Sequence, residues 1–109
     1  MLRRLFMIWT SPLFRDSVHM LLDHPEVEWL GTTADIVAAY DDIKQLHPDT
    51  IVVEEVAGGL PAKLIDFLET ENSLHRLVCI SLDDNRLKIY SRENWAVGEA
   101  DDLLRLILQ

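Results

Sequence analysis

The sequence predicts a three-layer α/β fold, helices on both faces of a mostly parallel sheet, and three observations predict it. Thr50-Ile51-Val52-Val53 is a continuous run of β-branched residues between Pro48-Asp49 and Gly58-Gly59, the pattern of a strand buried on both faces. Two more apolar runs of strand length, residues 2–9 and 76–81, lie before and after it. Between these runs apolar residues recur at helical spacing, so the elements alternate β-α-β-α-β-α-β, which implies parallel strands joined by right-handed crossovers.

Taken in order, residues 2–9 open a strand that is polar at first and wholly apolar by Trp9. Thr10 or Ser11 is placed to cap the next helix, and Pro12 suits its first turn because the missing N–H has no partner there anyway. Leu13, Phe14, Val18, Leu21 and Leu22 mark its apolar positions, and Pro25 ends it. Residues 27–31 form a short second strand. Thr32-Thr33-Ala34-Asp35 resembles a capping box and opens a second helix, with Ile36, Ala39, Tyr40, Ile43 and either Leu46 or His47 inward. The central strand follows and ends in Glu54-Glu55. Leu60-Pro61 starts a third helix whose Leu64, Ile65 and Leu68 are expected inside, before the buried strand 76–81.

The rhythm then changes. Only Asp83-Asp84-Asn85-Arg86 separate Leu82 from Leu87, whereas a parallel crossover needs a dozen or more residues. The final short strand, 87–92, is therefore expected to turn back as an antiparallel hairpin and serve as a half-exposed edge, with Leu87, Ile89 and Ser91 on one side and Lys88, Tyr90 and Arg92 on the other. Residues 93–98 read as a loop or a strand extension, and a last helix from about Glu99 buries Leu103, Leu104 and Ile107. The whole of 1–109 reads as one domain.

Composition narrows the function. The 109 residues are 49% apolar and 27% charged, as expected for a folded domain. The run Leu5–Trp9 is far shorter than the roughly 20 residues of a spanning helix and lacks the features of a signal peptide, so no membrane association and a cytoplasmic location are expected. A single cysteine, Cys79, cannot form an internal disulfide and agrees with a reducing compartment. Nineteen acids against ten Lys and Arg give a net charge of −9, which argues against nucleic acid as a partner. His19, His24, His47 and His75 have no spacing that gathers three around a metal. Cys79 reads as a small buried hydrophobe, and Gly58-Gly59, without a following Lys-Ser, is a weak phosphate signal.

Several motifs match a known family. Ser11-Pro12-Leu13-Phe14-Arg15-Asp16 stands where NarL-type response-regulator receivers usually read Asp-Asp-His-Pro-Leu-Phe-Arg. Met20-Leu21-Leu22 and His24-Pro25-Glu26-Val27-Glu28-Trp29-Leu30-Gly31 follow, and His47-Pro48-Asp49-Thr50-Ile51-Val52-Val53-Glu54 is similar to Arg-Pro-Asp-Val-Val-Leu-Leu-Asp. The chain thus resembles a receiver domain over residues 2 to about 82, which implies a flavodoxin-like or CheY-like sheet and a role in bacterial signalling or transcriptional regulation.

The same comparison implies a degenerate site. Receivers hold Mg²⁺ with an acidic pair after the first strand, where this chain has Trp9 and Thr10, and phosphorylate an Asp where it has Glu54. An indole and a hydroxyl are poor substitutes for carboxylates around a hard cation, and the extra methylene of Glu54 displaces its oxygens in a reaction that depends on positioning. Ser81 matches the family's hydroxyl residue; the family lysine has no counterpart, although Arg86 or Lys88 is expected near enough to reach back toward Glu54. The vestigial pocket would then comprise Trp9, Thr10, Glu54, Glu55 and Ser81, with no cofactor and no metal.

The expected function is that of a receiver-like module without an output domain, binding a protein partner independently of phosphorylation and not acting as an enzyme. Its expected contact surface is the hairpin edge with Tyr90, Trp95 and Val97, through which a homodimer is a further expectation. The alternatives are a receiver still phosphorylated on Glu54, and a small-ligand sensor using the vacated pocket.

Overall fold

The computed structural model describes residues 2–55, 60–91 and 95–108, with Trp95 and Ala96 described by backbone alone. The strands are β1 (Arg3–Ile8), β2 (Val27–Thr33), β3 (Thr50–Glu54), β4 (Arg76–Ser81), β5 (Arg86–Tyr90) and β6 (Trp95–Gly98), and the helices are α1 (Pro12–Leu21), α2 (Ile36–Leu46), α3 (Ala62–Thr70) and α4 (Leu103–Leu108), the last preceded by a 3₁₀ turn at Ala100–Asp102. One six-stranded sheet has the order β2-β1-β3-β4-β5-β6. The first four strands of that order are parallel, β5 runs antiparallel to β4, and β6 runs antiparallel to β5.

The β-branched run explains the centre. Successive side chains of β3 point to opposite faces, so Val52 enters one core with Leu5, Met7, Val78, Leu87, Leu103 and Ile107, while Ile51 and Val53 enter the other with Phe6, Ile8, Ile43, Leu64 and Phe67. Helices α1 and α4 contribute to the first layer, α2 and α3 to the second.

Three details depart from the sequence reading, and one alternative that it left open, in α2, is decided. The sheet has six strands instead of five, because residues 95–98 pair with β5; β5 is therefore interior and β6 is the terminal strand. Thr32 and Thr33 continue β2 against Met7 and Ile8, and Asp35 caps α2 by accepting from the Val37 N–H at 2.9 Å. In α3 the inward residues are Leu64, Phe67 and Leu68, with Ile65 41% exposed. In α2 Leu46 packs inward, while His47 is the C-cap at φ 53°. The Gly58-Gly59 reading and the Arg92 position lie outside the described residues.

The hairpin closes as expected. Ser81 pairs with Arg86, and Asn85 takes the left-handed conformation the turn needs, φ 52°, which Asn tolerates better than most residues. A β-bulge interrupts the β1–β2 register, where Trp29 pairs with Leu5 and Gly31 with Phe6. A Cβ at Gly31 would come within 3.2 Å of the buried Phe6 ring, so glycine lets the strand pass.

Helix polarity sets the electrostatics of both sheet ends. In a β-α alternation each helix starts beside the carboxyl ends of the strands and ends beside their amino ends, bringing partial positive charge to one edge and partial negative charge to the other. Arginines stand at the amino edge. Arg4 donates to the carbonyls of Leu46 (3.1 Å) and His47 (3.2 Å) at the end of α2, and Arg3 donates to those of Ile107 (3.1 Å) and Leu108 (3.2 Å) at the end of α4. The basic pair thus splits across the sheet, each side chain closing a different helix. Arg76 joins Arg3, donating to Leu106 and Ile107.

Candidate functional site

At the carboxyl edge the carboxylate is Glu54, the last residue of β3. One oxygen accepts from the backbone N–H groups of Thr10 (2.8 Å) and Ser11 (2.9 Å), and the other accepts from the Ser11 hydroxyl at 3.3 Å. Ser11 Oγ in turn accepts from the Phe14 N–H at 3.2 Å, as the N-cap of α1. A carboxylate from the central strand therefore occupies the positive start of α1, where free N–H groups and the dipole favour negative charge.

Beside it lies an open cleft of about 250 Å³ whose polar lining is Ser11, Glu54, Glu55, Ser81 and Asp83, and whose apolar lining is Leu13, Phe14, Ile80 and Leu82. The Glu55 N–H donates to the Ile80 carbonyl at 2.8 Å, extending the β3–β4 ladder and fixing the cleft floor. Glu54, Glu55 and Ser81 are thus brought together as the sequence suggested. Thr10 participates through its backbone, its side chain being exposed.

Trp9 is placed elsewhere. Its indole N–H donates to Thr32 Oγ1 at 3.3 Å, the Arg15 guanidinium lies 4.8 Å from its ring centroid, and it is not among the residues lining the cleft. The cleft is accordingly open where an inward Trp9 would have closed it. Arg86 pairs with Asp84 at 2.9 Å instead of reaching toward Glu54, and Lys88 lies across from Cys79 on β5. Tyr90 is half-buried against the second core, while Val97 is exposed; the side chain of Trp95 lies outside the described residues. Among the described residues no three His, Cys, Asp or Glu side chains are grouped to hold a metal ion, and no helix is long and apolar enough to cross a membrane.

Cys79 bears on the chemistry of this end of the sheet. Burial, and then the negative charge of Glu55, push its thiol up from 9.0 to about 11, with Lys88 pulling the other way. The thiolate is the nucleophile, so at neutral pH this sulfur is inert. A thiol whose folded pKa exceeds its unfolded value supports folding fully below pH 9, and that contribution is lost as pH rises through about 11. Urea unfolding across that window should show stability falling more steeply for the native chain than for Cys79→Ala; parallel curves would remove the thiol from this role.

Comparisons of the chain with family models, with curated proteins and with solved structures found no match.

Proposed function

We propose that this chain is a receiver-like protein-interaction module for bacterial signalling or transcriptional regulation, working without phosphorylation and without catalysis. The observation that carries the reading is the engagement of Glu54, whose two oxygens meet Thr10 N–H, Ser11 N–H and the Ser11 hydroxyl. A carboxylate held in this way is a structural clasp on α1. To act as a phosphoryl acceptor it would have to leave these donors and find a divalent cation, with Trp9 and Thr10 in place of the carboxylates such a cation prefers.

Two further features support it. The order of the first five strands, 2-1-3-4-5, is that of flavodoxin-like sheets, although β5 here is antiparallel. The residues after β4 build a hairpin, and the proposed contact region lies on it. Tyr90, Trp95 and Val97 belong to the proposed contact region, and the proposed setting is the cytoplasm. The open cleft beside Glu54 favours a second reading, a small-ligand sensor.

The test is an amide NMR titration with Mg²⁺ and then beryllofluoride, following Glu54, Glu55, Ser81 and the Trp9 indole. The interaction reading expects no saturable shift. Saturable shifts confined to these residues would establish a surviving acidic site and overturn it.

A further inference from the structure

On the side of β5 and β6 that faces away from α4, Arg86, Lys88 and Val97 belong to neither core cluster. Leu87 and Ile89 point into the core that α4 covers, so alternation puts Arg86, Lys88 and Tyr90 on the other side. The register sets Val97 directly across from Lys88, and Gly98 faces back toward Leu87 and Leu106. On this side the layer under α2 and α3 reaches Tyr90. Past it lies a groove of about 440 Å³ lined by Arg86, Leu87, Lys88, Val97 and Gly98.

The charge of this groove is opposite to that of the chain. With 19 acids and 10 bases overall, its lining contains two bases and no acid among the described residues. Among the described residues Lys88 has no carboxylate at ion-pairing distance. Arg86 has Asp84, but the two side chains are 62% and 58% exposed, and such surface pairs hold weakly and exchange readily. Val97 is 67% exposed on a strand that ends the sheet, whose outer main-chain groups are a template for one more strand.

We propose that the β5–β6 groove docks an extended acidic segment of a partner protein, which adds to β6 as a seventh strand, its carboxylates meeting Lys88 and Arg86 and a small apolar side chain covering Val97. The inference deepens, and rests on, the interaction-module reading. A second copy is the poorer occupant: antiparallel pairing of β6 with its own copy would set both pairs of cations on one shared face with no acid of the described groove lining between them.

The probe is a blocked heptapeptide, Glu-Val-Glu-Thr-Glu-Val-Glu, titrated into the ¹⁵N-labelled full chain, with counterparts in which every Glu is Gln or Lys. The acidic peptide should shift the amides of Leu87, Lys88, Val97 and Gly98 and weaken with salt, and the Gln and Lys peptides should bind about tenfold more weakly or worse. Arg86→Glu with Lys88→Glu should abolish the binding while leaving the remaining amide spectrum native. Equal binding of the Gln or Lys peptide, shifts elsewhere on the chain, or unmoved groove amides would each overturn the proposal, as would self-association that the double variant removes and the peptide does not compete. These failures are distinct from that of the interaction reading, which appears as Mg²⁺ and beryllofluoride shifts at Glu54 and Ser81 with no peptide present.

Discussion

Arg76→Met is expected to destabilise the chain by about 3 kcal/mol, since hydrogen bonds from a charged donor contribute about 1.5–3 kcal/mol each and a carbonyl left unpaired in a partly buried site adds to the loss. The guanidinium serves two carbonyls at the end of α4, those of Leu106 and Ile107, while Arg3 serves Ile107 and Leu108. Helix α4 is only six residues long, too short to persist by itself, so it depends on Leu103 and Ile107 in the core and on these bonds at its end. Two effects oppose the loss. Burial and the adjacent Arg3 push the Arg76 pKa down, a sign that the site penalises the charge, while Asp49 partly compensates. The methionine removes that penalty, but it leaves the Leu106 carbonyl without its donor. Urea denaturation of the single and double Met variants at Arg3 and Arg76 measures this, and the loss in the double variant should exceed the sum of the singles, because the Ile107 carbonyl keeps one donor in each single variant and loses both in the double. Arg76→Lys should recover less than half, since an ammonium cannot reproduce the planar fork. A loss under about 1 kcal/mol, the size of one ordinary hydrogen bond, would mean that α4 is held by its apolar residues alone.

Much of the sheet was legible because its physics is local. A β-branched run flanked by turn residues has little choice but to be a buried strand, and the four residues between β4 and β5 are too few for anything except a hairpin. Strand β6 was legible only as one of two alternatives, a loop or a strand extension: four residues with one β-branched side chain show no period, and they pair because β5 is already beside them. Periodicity was also symmetric in α3. At about 100° per residue, Ile65 and Phe67 lie equally far, on opposite sides, from the midpoint of Leu64 and Leu68. The neighbouring helix breaks the tie, since Tyr40 of α2 meets Phe67 edge to face at 5.8 Å. Thr32 and Thr33 show a similar competition, their cross-strand partners in β1 outweighing a capping pattern that Asp35 serves better.

The candidate site was legible in its members but not in their bonds. That Glu54 ends the central strand follows from the run itself; that its partners are Thr10 and Ser11, more than forty residues earlier, follows only from the crossover that lays α1 beside β3. The arginines gave a signal that the sequence reading passed over. Arg3, Arg4 and Arg76 all begin strands, and in a parallel sheet the amino ends of strands are where helix carbonyls converge. Basic residues recurring at strand starts are therefore helix caps before they are a binding surface, and the acid at the carboxyl end of β3 is the same rule with its sign reversed.

That rule makes Glu54→Ala the second large effect, about 2 kcal/mol of lost stability, from two charge-assisted bonds to main-chain donors and the attraction of a carboxylate to a helix start. Glu54→Gln should cost about half as much, because the amide oxygen still accepts but carries no charge. Acetate should raise the melting temperature of the Ala variant more than chloride does at equal ionic strength, and should leave the native chain unaffected, because only the variant offers the donors of α1 to an anion in solution. The three proteins together separate clasp from chemistry. If the Ala variant loses less than about 0.5 kcal/mol, the scale of an ordinary surface substitution, the carboxylate contributes little to holding α1 and is free to react, and the phosphorylated-receiver reading gains what the interaction reading loses. If it loses the expected amount and acetate restores part of it, Glu54 is the bond that ties the central strand to α1, and the reading in which this carboxylate is structural and the proposed contacts lie at the β5–β6 end of the sheet gains support.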